Sequence, residues 1–257
     1  MEILVEYTFS VCWITLNRPE VFNAFNKKMS LSLQNALKEA EQREDVRVIS
    51  ITGSGKAFSS GQDLAEASDP NGPSLEEILD KHYNPIIKQI ANCEKPVIAL
   101  INGVAAGAGA NIALACDICI AKKSTNFIQA FSKIGLIPDS GGTFFLPKLI
   151  GYQKALALML TGEKVSAEEA EKLNMIYKSV EDEHFDEYCE KFVKNLAQMP
   201  TKALVLTKKA LLKSFENTLD QQLELEKKYQ IECGNSFDFK EGVTAFLEKR
   251  KPEFKGE

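Results

Sequence analysis

The sequence has few of the residues on which several common kinds of site depend. It contains only two histidines, His82 and His184, and a single tryptophan. No apolar run approaches the roughly 18–20 residues that a membrane-spanning helix needs, and the first residues lack the basic segment of a secretory signal. Acidic residues outnumber basic ones by 36 to 31, which gives a formal charge of −5. We therefore expect no membrane span and no histidine-based site, and the acidic balance disfavours a nucleic-acid partner.

The cysteines are scattered through the chain rather than grouped. They are Cys12, Cys93, Cys116, Cys119, Cys189 and Cys233. In a chain of 257 residues without a secretory signal, that distribution is typical of reduced thiols in a cytoplasmic protein. Cys116 and Cys119 have the spacing of a CxxC motif, but no second pair follows. We interpret them as core thiols rather than metal ligands, and we predict no bound metal.

Apolar patterning in the first half predicts an α/β chain. Residues 3–16 alternate as a two-stranded ribbon, whereas residues 29–40 keep the spacing of an amphipathic helix. The runs 46–52, 96–101 and 117–121 are rich in β-branched residues and are typical of buried strands. Strands that alternate with helical segments favour a mainly parallel sheet.

The pattern between and after these elements is different. Residues 53–73 have the composition of a polar loop, and a helix over 75–93 is expected to bend at Pro85. Residues 153–246 show helical patterns and almost no strand signal. This change places a boundary near Ile150 and Gly151.

Two familiar nucleotide-binding signatures fail. Gly55 and Lys56 resemble the end of a phosphate-binding loop, but Ala57 replaces the required Ser or Thr. Residues 107–112 begin like a dinucleotide fingerprint, but Ile112 stands where the third Gly belongs. No GxSxG nucleophile elbow is present either.

Two segments of small residues each follow an expected strand. They are residues 57–64 (AFSSGQDL) and 102–110 (NGVAAGAGA). One interpretation is that they form tight turns and a closely packed helix start. The other is that they expose backbone N–H groups, two of which could converge on one oxygen as an oxyanion hole. The second segment opens a helix, whose N-terminus favours negative charge.

A third segment, residues 134–143 (IGLIPDSGGT), carries a carboxylate. Asp139 follows an apolar stretch and precedes two glycines. It is a candidate N-cap of the next helix. It is equally a candidate acid/base beside an apolar pocket.

In this order, the three segments resemble the crotonase (enoyl-CoA hydratase/isomerase) superfamily. The resemblance begins at residues 16–19 (LNRP), ends at 246–250 (FLEKR) and covers almost the whole chain. It implies a spiral of ββα turns in residues 1–150, which carries the acyl-CoA site. Residues 151–257 would form a helical region for oligomerisation and site closure. The resemblance further implies acyl-CoA thioester substrates, homotrimers or dimers of trimers, and no separate cofactor because coenzyme A is part of the substrate.

The resemblance also implies roles for individual residues. By position, the backbone N–H groups of Gln62 and Ala108 would hold the thioester oxygen and stabilise an enolate. Hydratases of the superfamily use two glutamates, and here those positions carry Asn111 and Phe131. Neither side chain shuttles protons at neutral pH, which disfavours hydration. Asp139 stands where enoyl-CoA isomerases of the superfamily carry their acidic residue, so it is the predicted catalytic group.

Within the superfamily, the segments most resemble the isomerases of the bacterial phenylacetate pathway that act on 1,2-epoxyphenylacetyl-CoA. Such an isomerase converts the ring epoxide to the oxepin form. The pocket would need apolar walls for a ring, for which Tyr83 and Phe131 are candidates, although both could be ordinary core residues. Asn111 and Gly107 are further predicted substrate-binding residues.

Three alternative functions stay open at this point. A Δ3,Δ2-enoyl-CoA isomerase would use the same Asp139. An enoyl-CoA hydratase would need Asp139 alone, or another carboxylate, to manage water. A non-catalytic module that only binds CoA esters would need no acid at all. Lys249 and Arg250 could contact CoA phosphates or could be a solvated charge run.

Overall fold

The computed structural model describes residues 1–257 as two β-sheets surrounded by helices. The strands are β1 (Ile3–Thr8), β2 (Val11–Leu16), β3 (Val48–Gly53), β4 (Ala57–Ser59), β5 (Val97–Ile101), β6 (Val104–Ala106), β7 (Ile118–Lys122), β8 (Asn126–Ile128), β9 (Lys164–Ser166) and β10 (Lys178–Val180). The helices are α1 (Lys27–Gln42), α2 (Leu64–Ala67), α3 (Leu75–Glu77), α4 (Asn84–Asn92), α5 (Ala108–Ala115), α6 (Gly142–Ile150), α7 (Tyr152–Thr161), α8 (Ala167–Lys172), α9 (Phe185–Leu196), α10 (Thr201–Ser214), α11 (Leu219–Gly234) and α12 (Phe237–Glu248).

The larger sheet has the strand order β1-β2-β3-β5-β7-β10, and the smaller has the order β4-β6-β8-β9. β1 and β2 pair antiparallel, as do β8 and β9, and the other neighbours are parallel. Three times the chain passes from a strand of the larger sheet to a short strand of the smaller one and then to helix. This repeated order is the spiral of ββα turns, so the predicted α/β fold class is confirmed.

The first helix and the strands around it form the core that the apolar pattern predicts. α1 begins at Lys27, where the side chain of Asn26 accepts a hydrogen bond from the N–H of Met29. Its helically spaced apolar residues are all buried: Met29, Leu33, Ala36, Leu37 and Ala40. They join a single hydrophobic cluster that also includes inward-facing residues of the larger sheet.

The helix expected over 75–93 is interrupted just before Pro85 by a π-helical turn over Ile78–Tyr83. Proline has no N–H to donate to the carbonyl four residues back, which is that of Lys81. That carbonyl instead accepts a 2.7 Å hydrogen bond from the side chain of Gln34, and the N–H of Asn84 donates to Leu79, five residues back. The turn joins α3 to α4 and fixes the position of Tyr83.

Two sequence-based predictions of organisation are wrong. The expected loop over 53–73 contains β4 and α2. Residues 153–246, expected to contain almost no strands, contain β9, which pairs with β8, and β10, which pairs with β7; the boundary near Ile150 and Gly151 stays a prediction. These strands have three residues each, too few for a period-2 pattern to be recognised. The all-helical part of the chain therefore begins only after Val180.

Partly buried polar contacts fix two of the helices that follow. The ammonium group of Lys208, on α10, lies 3.0 Å from the carboxylate of Asp117 and donates to the carbonyl of Ile90 at 2.8 Å. The carboxylate of Asp238, on α12, accepts from the N–H groups of Lys255 and Gly256. None of the helices is long and apolar enough to cross a membrane.

Candidate active site

Two of the small-residue segments meet at one edge of the smaller sheet. β4 and β6 are parallel neighbours, so the residues that follow them lie side by side. A Cβ atom on Gly61 would lie 2.9 Å from the carbonyl oxygen of Ala106 and 3.3 Å from the nitrogen of Ala108. A Cβ atom on Gly109 would lie 2.6 Å from the Cβ of Ser59. The approach of the two segments therefore requires glycine on both sides.

The first segment presents a backbone donor without a partner. Phe25 forms a bridge with this segment: its N–H donates to Gly61 at 2.7 Å, and its carbonyl accepts from the N–H of Asp63 at 2.9 Å. The N–H of Gln62, between these two, donates to no other backbone group. It is free to bind an external oxygen.

The second segment presents another donor. Ala108 is the first residue of α5, so its N–H is one of those that a helix leaves without an intrahelical partner. Gly107 precedes it with φ +52° and supplies no side-chain cap. The N-terminal end of the helix also favours negative charge at this point. Together with Gln62, the predicted pair of oxyanion donors lies on adjacent segments.

The residue after Gln62 is fixed by an ion pair. The guanidinium of Arg18 lies 2.9 Å from the carboxylate of Asp63, and both side chains are largely buried. The same carboxylate accepts from the N–H of Ala65 and so caps α2. Arg18 also donates to the carbonyl of Ala24 at 2.6 Å. These contacts hold the first segment in place, and sequence reasoning did not identify Asp63.

Tyr83 makes a polar contact in addition to its predicted apolar one. Its ring is buried and packs edge-on against Phe25, with the ring centroids 6.0 Å apart. Its hydroxyl donates a 2.6 Å hydrogen bond to the side-chain oxygen of Gln62. Burial, and then the nearby charge of Asp139, raise the pKa of Tyr83 well above its usual range. The hydroxyl therefore stays protonated and acts as a donor.

Asp139 is not a helix cap, so that alternative is wrong. α6 begins at Gly142, and its N-cap residue, Gly141, makes no side-chain cap. The Asp139 carboxylate instead accepts a 2.8 Å hydrogen bond from the hydroxyl of Ser140. Burial raises the pKa of Asp139, although the hydrogen bond from Ser140 opposes the shift. A partly buried carboxyl of raised pKa is better suited to accept and release a proton than a fully solvated one.

Asn111 has different contacts from the predicted ones. Its side chain is fully buried. Its Nδ2 donates to the backbone carbonyl of Asp139 at 2.8 Å, and its Oδ1 accepts from the Nε2 of Gln129 at 2.8 Å. Each atom has one further hydrogen-bonding site, so these contacts leave the predicted substrate contact untested. Gln129 is a second residue that sequence reasoning missed, since a lone Gln between a strand and a turn carries no signal.

Phe131 lies beside the second segment. It belongs to the 3₁₀ turn over Ala130–Ile134 and is largely buried. Its ring carbon Cζ lies 3.8 Å from the position of a Cβ on Gly107. The structure thus places Phe131 and Gly107 next to Ala108, as a shared substrate pocket would require.

Other residues singled out in the sequence lie elsewhere. Cys116 and Cys119 are buried free thiols, as interpreted, and burial raises the pKa of both. Arg250 pairs with Glu241 at 2.6 Å and with Glu248 at 2.7 Å, which favours the charge-run interpretation of this residue. A cavity of about 960 Å³ lies among α10, α11 and α12. None of the predicted site residues lines it.

Comparisons with known proteins match the fold and almost the whole length of the chain. The family model described as enoyl-CoA hydratase/isomerase matches residues 6–257. The chain is 45% identical over 257 residues to 1,2-epoxyphenylacetyl-CoA isomerase of Escherichia coli (strain K12), covering 99% of this chain and 98% of the relative. It is 46% identical over 254 residues to a probable enoyl-CoA hydratase of Rhodobacter capsulatus, with coverage of 99% and 98%. The crystal structure of enoyl-CoA hydratase from Bacillus anthracis superposes with a TM-score of 0.93 at 33% identity, covering 100% of both chains.

Proposed function

This chain belongs to the enoyl-CoA hydratase/isomerase family, and from that membership we propose that it isomerises acyl-CoA thioesters by proton transfer, with 1,2-epoxyphenylacetyl-CoA as substrate. The observation that carries the proposal is the environment of Asp139, a partly buried carboxyl of raised pKa that accepts a hydrogen bond from Ser140. The two other positions at which a family hydratase would carry acids hold Asn111 and Phe131.

The proposed mechanism uses one carboxylate and two backbone donors. The N–H groups of Gln62 and Ala108 bind the thioester oxygen, on which negative charge develops when a proton leaves the neighbouring carbon. Asp139 removes that proton and returns it to another carbon of the same substrate. Because the same group must accept and release the proton, a raised pKa serves both steps. No water is consumed, so a second carboxylate is not needed.

The proposal also specifies the acyl group of the substrate. Phe131, next to Gly107 and Ala108, supplies an apolar ring edge suited to an aromatic-derived acyl group. The 45% identity to an epoxyphenylacetyl-CoA isomerase supports the same choice. A Δ3,Δ2-enoyl-CoA isomerase would use the same residues with a fatty acyl chain, so only the substrate separates these two.

Hydration is the second candidate function. It is favoured by the 46% identity to a relative that is named a probable enoyl-CoA hydratase. It is disfavoured by Asn111, whose amide is bonded on both sides and carries no acid. A binding module without turnover would leave the partly buried carboxyl of Asp139 without a purpose, although removing it from water costs stability.

We also propose that the chain assembles as a homotrimer or a dimer of trimers through its C-terminal helices, which would help to close the site. The support is an exposed apolar surface that no part of the chain covers. Its members include Leu211, Phe215, Leu219, Leu223, Phe246 and Leu247, all more than half exposed. Monomeric soluble proteins rarely leave such a large apolar surface in water.

The test is turnover of 3-enoyl-CoA, 2-enoyl-CoA and freshly generated epoxyphenylacetyl-CoA by the wild type and by Asp139→Asn. We expect isomerisation without hydration in the wild type, loss of turnover in the variant, and similar affinity of both for the CoA ester. Hydration of 2-enoyl-CoA as the main reaction would refute the proposal. Unchanged isomerisation by Asp139→Asn would move the chemistry to another group.

A further inference from the structure

We infer that Gln129 and Asn111 are positioning residues, a buried pair of amides that holds the backbone of Asp139 in the conformation needed for proton transfer. The inference rests on the proposed role of Asp139. It assigns a function to two side chains that touch neither the two backbone donors nor the reacting carboxyl.

The direction of the hydrogen bonds in this pair follows from one fixed acceptor. The backbone carbonyl of Asp139 only accepts, so Asn111 must turn its Nδ2 toward it. The Oδ1 of Asn111 then faces Gln129, which must offer its Nε2. Both contacts measure 2.8 Å. The order of donors is therefore Gln129 to Asn111 to Asp139, and neither amide can flip without losing a bond.

The carbonyl of Asp139 is held from two sides. The N–H of Gly142, at the start of α6, donates to it at 2.9 Å, and Asn111 supplies the second hydrogen bond. The side chain of Asn111 packs closely against the start of α6, because a Cβ atom on Gly142 would lie only 2.4 Å from its Nδ2. Two donors on one carbonyl fix the orientation of the peptide plane next to the reacting carboxyl.

The pair also connects Asp139 to the backbone donor of Ala108. Asn111 lies three residues after Ala108 on α5, and residues at this spacing share one face of a helix. A single turn of α5 thus carries both the N–H of Ala108 and the anchor of the Asp139 backbone. The distance between oxyanion donor and acid/base is set by this turn rather than by the long connection from 115 to 139.

Gln129 holds the side chain of Asn111 in place through the hydrogen bond from its Nε2 to the Oδ1 of Asn111. Asn111 is 0% exposed and Gln129 is 2% exposed. The Oε1 of Gln129 has no partner in the chain, so this residue keeps a buried, unpaired acceptor while donating to Asn111. Such a group costs stability. Leucine at this position would remove the unpaired Oε1 but would leave the Oδ1 of Asn111 without its donor.

The test compares Asn111→Asp and Gln129→Leu with the wild type, with Asn92→Asp as the matched control at an exposed amide that bonds only a backbone carbonyl of its own helix. Steady-state isomerisation of 3-enoyl-CoA gives kcat and KM, and calorimetry with a saturated acyl-CoA gives Kd. We expect kcat to fall about tenfold in each variant, with KM and Kd within about twofold of the wild type. The double variant should be no slower than the slower single one, because both act through one contact.

A second readout separates positioning from a loss of fold. Once released, the Asp139 loop exposes its carboxyl to water, so the acid limb of the kcat–pH profile should move to lower pH in Gln129→Leu, which adds no charge. A folded variant with the kcat and the pH profile of the wild type would overturn the inference. So would a variant whose Kd rises while its kcat stays unchanged. If Asn111→Asp does not fold, Gln129→Leu decides alone. Asp139→Asn run in parallel distinguishes the two proposals: if that variant is inactive while these are normal, only this inference fails.

Discussion

The hydroxyl of Tyr83 lies 2.6 Å from the side-chain oxygen of Gln62 and donates a hydrogen bond to it. The contact joins the π-helical turn to the first small-residue segment, 21 residues earlier in the chain. The backbone N–H of Gln62 is one of the two proposed oxyanion donors. The hydrogen bond from Tyr83 therefore restricts the motion of a residue on which the proposed reaction depends.

Removing this hydroxyl should slow the reaction without weakening binding. Tyr83→Phe keeps the buried ring but loses a hydrogen bond worth about 0.5–1.5 kcal/mol, which corresponds to about two- to tenfold in rate. We expect kcat to fall by that factor while KM stays close to that of the wild type. Tyr152→Phe is the matched control, because Tyr152 is 68% exposed. An equal effect of both substitutions would contradict the proposed restriction.

Replacing Asp139 should stabilise the protein while inactivating it. Burial raises the pKa of Asp139, so the folded state favours its neutral form, and stability is lost as pH rises through that pKa. Asp139→Asn is neutral at every pH and can still accept from Ser140. We therefore expect a higher Tm than the wild type near neutral pH. The difference should vanish below about pH 4, where Asp is protonated in both states. Thermal melts across this range are the measurement, and a lower Tm at neutral pH would contradict the expectation.

A methyl group on Gly61 should separate the two small-residue segments. Gly61 has φ +95°, and an added Cβ would lie 2.9 Å from the carbonyl of Ala106. We expect Gly61→Ala to lower the free energy of unfolding by about 1–3 kcal/mol and kcat by about tenfold or more. Gly234→Ala is the control, because nothing lies within 4 Å of its added Cβ. Denaturant unfolding and steady-state kinetics of both variants test the claim.

A charge on the exposed apolar helices should weaken self-association. Phe246 is 82% exposed on α12. If α10–α12 form the subunit contact, Phe246→Asp should convert the proposed trimers or hexamers largely to monomers in sedimentation velocity. Phe9→Asp, on the turn between β1 and β2 and outside these helices, is the control. Wild-type protein that sediments as a monomer would reject the assembly outright.

The elements that the sequence predicts well are those with a complete apolar period. α1 carries five helically spaced apolar residues, and β3, β5 and β7 are runs of β-branched residues, so each could be identified without tertiary information. The smaller sheet could not be identified in this way. Its strands have three residues each, and their pairing is fixed by close contacts such as that of Gly109 with Ser59, which join residues far apart in the chain.

The features of the candidate site likewise fall into those that the sequence predicts and those that it does not. The resemblance supplied Gln62, Ala108 and Asp139, because they lie in contiguous motifs. It gave no indication of the bonds of Gln129 to Asn111 or of Tyr83 to Gln62. Side-chain hydrogen bonds between distant residues leave no local pattern. The hydrogen bond of Asn111 to the carbonyl of Asp139 was not predicted either, and the expected contact of Asn111 with substrate stays a prediction.

The parallel pairing of β4 with β6 has a consequence for how the chain acquires activity. The N–H groups of Gln62 and Ala108 come together only when β4 and β6 pair. These two strands have three residues each and are separated by some forty-five residues of sequence. Local helix formation occurs within microseconds, whereas non-local parallel pairing is slow because loop closure precedes any gain from contacts. During refolding, helical content should therefore return well before turnover. A partly folded chain would contain much of its helix and have no enzymatic activity.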